Sequence, residues 1–379
     1  MDMGKKTYYG LLVVPTDARN KNIGDYIQSI AQRQFLPRVD EYVQREKISL
    51  YDNDSHTATA LIMNAWYMWH PENWPPSELI IPLPISMHLS PIGSQKMLGP
   101  EGLKWFKEHE PIGCRDRETM DLLTANGVKC YFSACLTLTL HKSFNPISDD
   151  KRKGVCFVNA YCPPYSGRKQ SVRLLLYALK APYTILNMWR KHKTYFECRW
   201  NYSIPDERRK GVVPYFKSLL KSICKTTSFY KIYSKQFTNK VLRGAEYINH
   251  TVDTQKYPND EALLDYATFL LQKYATQKYV VTSRIHAGLP CLSLGTPTIF
   301  VLHPDIVGKN SNGNRLGGLI DFFHCMRLDQ NNSIDCDSIF DQQSKLDENF
   351  SFTNKTNWKE YADQMIDTCE KFVQQFDEQ

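Results

Sequence analysis

The chain has 379 residues, 42% of them hydrophobic and 12% aromatic, which suits a globular protein with a large core and leaves room for two domains. Its net charge of +7 is unevenly spread: residues 166–243 hold eighteen Lys and Arg against three acids (Glu197, Asp206, Glu207), a local net of +15, so the remainder carries −8. No run approaches the ~18 uncharged apolar residues of a spanning helix, and the opening MDMGKKTYYG lacks the pattern of a secretory leader.

In chain order, Thr7–Val14 (TYYGLLVV) reads as a buried strand. The polar loop PTDARNKN leads into IGDYIQSIAQRQFL, where Ile23, Ile27, Ile30, Ala31 and Phe35 recur at the three- and four-residue spacing of an amphipathic helix. Ala58–Trp66 and Glu78–Leu89 read as further strands, the second interrupted by prolines. Pro100 suits the first turn of a helix over GPEGLKWFKEHE. PIGCRD reads as a short strand ending in charge, RETMDLLTANG as a helix stopped by Gly127, and VKCYFSACLTLTL as a strand with its exit loop. Periodicity lapses over the polar stretch His141–Gly154, which places a domain boundary near residue 150.

VCFVNA opens the second half as a strand. The basic region reads as two helical pieces, Val172–Arg190 and Val212–Lys225 or beyond. Next come AEYINH as a strand, NDEALLDYATFLLQKYATQ as a helix, KYVVTS as a strand, RIHAGLPCLSLG as a helix and TPTIFVL as a strand. LGGLIDFFHCM reads as a short helical piece, Asn331–Thr353 as acidic and loose, and TNWKEYADQMIDTCEKFVQQF as a closing amphipathic helix. Strand–helix alternation in both halves predicts an α/β fold with parallel sheets covered by helices. The expected division is 1–150, then 151–356 with a basic helical insert at 166–243, then a closing helix at 357–379, with a cleft between the two main domains. The usual glycine-rich phosphate loops are absent, and eleven scattered cysteines without a C-x-x-C pair suggest neither a zinc site nor a disulfide framework.

One stretch concentrates the chemistry. In an open parallel sheet, ligands sit outside the carboxyl ends of the strands. KYVVTS ends there, placing Thr282 and Ser283 in the crevice, and Arg284, Ile285 and His286 open the next helix. Free N–H groups and the positive end of the helix dipole favour an anion at that position. A guanidinium grips a carboxylate or phosphate with paired hydrogen bonds, and an imidazole exchanges protons near neutral pH. The competing reading is a structural ion pair and a satisfied core histidine.

TSRIHAGLPCLSLGTPTIFV resembles the signature segment of the polysaccharide pyruvyltransferases. The resemblance extends to NIGDYIQSIAQRQFL, to NAWYMW and to PIGCRDRETMDLLTANGVKCYFSACLTLTL; the basic insert is covered least. It implies two Rossmann-like domains in a GT-B-like arrangement, the first on the acceptor side. It also implies a transferase that moves the carbon skeleton of phosphoenolpyruvate onto two hydroxyls of one sugar as a cyclic ketal, the 4,6-ketal by family habit, with release of phosphate. On that reading Ser283, Arg284, Ile285 and His286 contact phosphoenolpyruvate, with Arg115 in GCRD as the second arginine. His286, Asp25 and His88 are the candidate acid–base groups, and the mechanism calls for no metal or other cofactor.

Other candidates carry two readings each. Asn22, Gly24 and Asp25 stand at a helix start as caps or as cleft lining. Asn64, Trp66 and Tyr67 follow a strand and either stack on a sugar or fill the core. Arg115 and Asp116 contact ligand, or pair with each other or the helix start. Asn314 and Arg315 sit in a glycine-rich loop that closes over ligand or is merely solvated.

In the basic insert, Arg173, Lys180, Trp189, Arg190, Lys191, Arg208, Arg209 and Lys210 flank apolar helical stretches, a pattern suited to an anionic membrane interface. A solvated hairpin is the alternative; nucleic acid is disfavoured because no recognised module accompanies the charge. The combined expectation is a cytoplasmic enzyme, peripheral on the inner membrane, acting in bacterial surface polysaccharide (exopolysaccharide or capsule) synthesis on a sugar linked to a polyprenyl-diphosphate carrier. The rivals are a GT-B glycosyltransferase using a nucleotide sugar and a non-catalytic glycan-assembly protein.

Overall fold

The computed structural model describes residues 7–14, 20–163, 167–196, 212–307, 316–340 and 344–377. The apolar run YYGLLV forms strand β1 (Tyr8–Val13). A short strand β2 (Asn20–Asn22) ends in the cap of helix α1 (Ile23–Arg33), the Asn22 side chain accepting the Gly24 N–H. There follow β3 (Glu41–Gln44), β4 (Thr59–Ile62), β5 (Trp66–Tyr67), β6 (Ile80–Leu83), β7 (His88–Leu89), α2 (Pro100–Glu108), β8 (Ile112–Cys114), α3 (Arg117–Ala125) and β9 (Cys130–Phe132). Strands β3, β1, β4 and β6, in that spatial order, make a wholly parallel sheet. A parallel strand covered on both faces calls for a continuous apolar run rather than alternation, and every residue of β4 is buried. Gly127, at φ +73°, supplies the left-handed residue that ends α3.

The second half begins with β10 (Val155–Val158) and the insert helices α4 (Arg168–Ala178), α5 (Pro182–Lys191) and α6 (Val212–Tyr233). It continues through β11 (Glu246–Ile248), β12 (Thr251–Asp253), α7 (Asp260–Ala275), β13 (Tyr279–Thr282), α8 (Ile285–Ser293), β14 (Thr298–Leu302), β15 (His324–Leu328), β16 (Ile334–Cys336) and α9 (Lys359–Asp377). The sheet order is β11-β10-β13-β14-β15-β16, parallel except for the antiparallel edge strand β16. The fold is therefore α/β with two parallel sheets.

The two sheets are joined by a shared core. Helix α1 of the first half packs on α7 and α8 of the second, and Tyr9, Ile27, Ala267, Leu271, Leu289 and Trp358 belong to one buried cluster. Strand β2 pairs antiparallel with β12. The Tyr26 hydroxyl donates to Asp260 Oδ1 at 2.6 Å, and Arg33 pairs with Glu261 at 3.0 Å. Helix α9 returns to the first half, where Tyr361 meets Phe132 edge-on. Among the described residues no helix is long and apolar enough to cross a membrane.

Four local readings differ from the structure. The stretch Val172–Arg190 is two helices because Pro182, which cannot continue the preceding helix, starts a new one. LTLTL closes not as an exit loop but as a short 3-10 helix, Leu136–Lys142, with leucines and threonines alike buried. His324–Leu328 is a strand rather than part of a helical piece; short apolar runs do not reveal their period. The supposedly loose Asn331–Thr353 contributes β16 and buries Phe340, Leu346, Phe350 and Phe352.

Candidate functional site

At the carboxyl ends of β10 and β13 the chain is held by its own hydroxyls. Thr282 Oγ1 donates to the Val158 carbonyl (2.7 Å) and accepts the Arg284 N–H (2.9 Å). Ser283 Oγ donates to the Val301 carbonyl (2.7 Å) and accepts the Tyr161 N–H (2.9 Å). Arg284 occupies the N-cap of α8 in extended backbone geometry. Around it opens a cavity of about 260 Å³ lined by Asn159, Tyr161, Tyr195, Lys225, Ser283 and Arg284. Two cations thus face one small space at a helix N-terminus, the arrangement that suits a compact polyanion. Lys225 comes from α6 of the insert and its ammonium donates to the Tyr195 carbonyl at 2.9 Å.

Beneath Arg284 lies a buried polar network. Asn159 takes the left-handed conformation (φ +40°), tolerated by asparagine better than by most residues. Its amide donates to Asn249 Oδ1 at 3.0 Å, and its oxygen accepts the His250 N–H. His250 is fully buried beside the Tyr274 hydroxyl (2.7 Å). Burial first, and the Arg284 charge second, push the His250 imidazole down to about 3, so it stays neutral.

His286 does not share the cavity wall with Arg284. It is 7% exposed and packs where the first turns of α1 and α8 meet. A Cβ at Gly24 would lie 3.0 Å from His286 Cβ and 3.1 Å from its Nδ1, so glycine permits this approach. The Ile23 N–H donates to the His250 carbonyl (2.8 Å), locking Asn22–Gly24 to the second half. Asn22, Gly24, His286 and the Arg284 network therefore form one seam.

Asp25 points elsewhere. With Gln28, Asn64 and Arg45 it borders a small cavity of about 10 Å³ at the ends of β1 and β4. Arg45 lies 3.9 Å from Asp25, binds Glu46 through two nitrogens and covers the Trp66 ring at 5.3 Å. Asn64 donates to the Gln28 carbonyl at 2.9 Å, and Trp66 also meets Trp69.

His88 and Arg115 sit in a third cluster. His88 Nδ1 lies 2.6 Å from Asp116 Oδ2, with both side chains buried, and Arg115 Nε is 3.6 Å from the same carboxylate. Asp116 Oδ1 caps α3 by accepting the Thr119 N–H at 3.0 Å. Burial would raise the Asp116 carboxyl, but His88, its hydrogen bond and Arg115 together outweigh it and hold the group below the usual carboxylate range. Both structural readings of Arg115 and Asp116 are thus realised. The α3 start also touches the second half, the Arg117 N–H donating to the Gly317 carbonyl.

In the insert, Lys180, Arg190 and Lys191 are exposed, and so are Val172, Leu176, Leu179, Tyr183, Leu186 and Phe216. Trp189 is partly buried and donates to Ser222 Oγ at 3.0 Å, which ties α5 to α6. Arg173 lines a large cavity together with Tyr161. Arg208, Arg209, Lys210, Asn314 and Arg315 lie outside the described residues. Sequence reasoning missed Asn159, Lys225, His250 and Arg45. Asn159 and His250 lie far apart in the chain and converge through the pairing of β10 with β11, Lys225 arrives through the packing of α6, and Arg45 follows β3 in a charged REK triplet that carries no signature.

The family model described as polysaccharide pyruvyl transferase matches residues 22–305, more than half of the chain and inclusive of every part of the seam. Comparisons with curated proteins and with solved structures return no match.

Proposed function

Because the chain belongs to the polysaccharide pyruvyl transferase family, we propose that it transfers the pyruvyl unit of phosphoenolpyruvate onto two hydroxyls of one sugar, giving a cyclic ketal, with the two sheets as cores of Rossmann-like domains in a GT-B-like arrangement. The observation that carries this reading is the pairing of Arg284 and Lys225 on one small cavity at the N-terminus of α8.

The chemistry follows from the charges. Phosphoenolpyruvate presents a carboxylate and a phosphate on the same carbon, and Arg284, Lys225 and the N–H groups of α8 hold them. The first sugar hydroxyl attacks C2 while a proton reaches the C3 methylene, making it a methyl group. The C2–O bond to phosphate breaks, phosphate leaves, and the second hydroxyl closes the ketal at C2. One hydroxyl proton ends on the methyl carbon and the other on phosphate, so the reaction balances without a redox partner. His286 is the proposed proton carrier, standing at the seam where the first half brings Asn22 and Gly24. His88, sequestered with Asp116, is better suited to shaping the first half than to proton exchange with substrate.

The acceptor is proposed to be a galactose-like residue of a lipid-linked surface glycan, modified as a 4,6-ketal at the cytoplasmic leaflet. Support comes from α4–α6, whose exposed leucines and aromatics lie among Lys180, Arg190 and Lys191. Apolar insertion plus about 1 kcal/mol per basic side chain holds such a surface on anionic lipid. The test is phosphate release from phosphoenolpyruvate with sugar acceptors, with NMR of the product. Acceptor-dependent phosphate and a new ketal carbon support the reading; turnover of a nucleotide sugar instead would overturn it.

A further inference from the structure

A cavity of about 740 Å³ lies beside the Arg284 cavity and shares Tyr161 with it. That volume falls in the range of small-molecule sites, roughly 300–1,000 Å³. Its walls are the insert helices α4 and α6 and the loop at residues 330–332. Lys169 and Arg173 stand one turn apart on one face of α4, while Lys231 lies in the last turn of α6 and Lys235 just past its end, where its ammonium also donates to the Asn332 carbonyl at 2.9 Å. Against these four cations the described residues of the walls hold one carboxylate, Asp305, and that group accepts the Tyr161 hydroxyl while Tyr161 stacks on His303 at 4.0 Å. All four basic side chains are exposed. Cations gathered in a concave space rather than scattered over a convex face raise the local potential and favour a multiply charged ligand.

We propose that this cleft binds a diphosphate group. Four cations facing one engaged carboxylate suit an anion of two to three charges, and the linked phosphates span from one helix to the other. The shared Tyr161 places that anion one residue's breadth from the Arg284 cavity, where a sugar attached to the diphosphate reaches the reacting carbon. The exposed Val172 and Leu176 project from α4, and Leu179 from its C-cap, on the same helix that supplies Lys169 and Arg173. They give an isoprenoid tail an apolar path, so the structure favours a lipid-borne diphosphate over a nucleoside diphosphate. Assigning the diphosphate to the acceptor's carrier rests on the pyruvyl-transfer reading; the anion site itself does not.

Equilibrium binding with the full-length protein and no phosphoenolpyruvate tests the site. Inorganic pyrophosphate is expected to bind, and the double variant Arg173→Gln, Lys231→Gln to weaken it at least tenfold, whereas Lys191→Gln, outside the cleft, leaves it unchanged. Farnesyl diphosphate is expected to bind more tightly than UDP. Saturating phosphoenolpyruvate should leave the pyrophosphate affinity as it was. Pyrophosphate affinity indifferent to the double variant, or competition between pyrophosphate and phosphoenolpyruvate, would overturn the site; tighter binding of UDP would overturn the lipid assignment. Failure of phosphate release from phosphoenolpyruvate with the site intact would instead count against the catalytic reading alone.

Discussion

The seam between the two halves and the helical insert are built in opposite ways. At the seam, few groups are used, most are buried, and each is held by others: Thr282 positions Arg284, Asn159 holds His250, and Gly24 clears a place for His286. On the insert the polar groups are many and exposed, with apolar side chains such as Leu179 left 73% exposed among them. A small anion must be fixed within a fraction of an ångström for chemistry, which calls for preorganised groups. A membrane or a long carrier needs only summed weak contacts. Substitutions at the junction should therefore be costly singly, and those on the insert only in combination.

The largest effect is expected from Asp116→Ala. It leaves His88 and Arg115 buried without their carboxylate and removes the α3 cap; breaking such a buried pair costs about 3–5 kcal/mol. Urea denaturation measures it, and a loss under about 1 kcal/mol would mean the cluster is not under the constraint described. Next, Arg284→Ala should lower kcat/KM for phosphoenolpyruvate by ~10²–10³-fold, as for loss of one charge-stabilising donor, with little change in stability. A variant that keeps its phosphoenolpyruvate turnover would remove the basis of the catalytic site.

Gly24→Ala sharpens the comparison at intermediate scale. The new methyl would press on His286 at about 3 Å, and overpacking of this kind costs about 1–3 kcal/mol. The expected signature is a fall in kcat larger than the change in KM, because the imidazole moves while Arg284 stays. Acid stability provides a further probe. His250 is held neutral down to about pH 3 in the folded chain, whereas the unfolded chain takes its proton near 6.5. Between those values the unfolded state binds more protons, so stability falls on acidification by up to about 1.4 kcal/mol per pH unit. His250→Gln should remove that component, and equal pH slopes for both proteins between pH 6.5 and 4.5 would refute it.

How much of this was legible in the sequence divides along the same line. The strand–helix alternation, the α1 and α8 boundaries and the position of Arg284 could all be read, because parallel strands show as apolar runs and anion sites recur at the following helix start. Partners contributed from elsewhere could not. Lys225 looked like one cation among eighteen in the basic region, and only the packing of α6 brings it to the cavity. His250 follows a strand in an unremarkable INH triplet, and its burial comes from α7. Trp189, grouped with the surface cations by composition, turns to Ser222 from the new helix that Pro182 starts, and Arg173 lines the cleft wall from α4.

The smallest effect on the folded protein is expected where the exposure is greatest. Leu176 on α4 and Leu179 at its C-cap are 62% and 73% exposed. Replacing both with asparagine removes little buried apolar area, so stability should stay within about 0.5 kcal/mol, and turnover of a soluble sugar acceptor should not change. Flotation with vesicles containing anionic lipid should nevertheless be lost, since the lysines alone provide attraction without insertion and are screened by salt. If flotation survives at physiological ionic strength, the exposed leucines are not the membrane contact. If it disappears together with stability, the insert is an integral part of the core and the contrast with the seam fails.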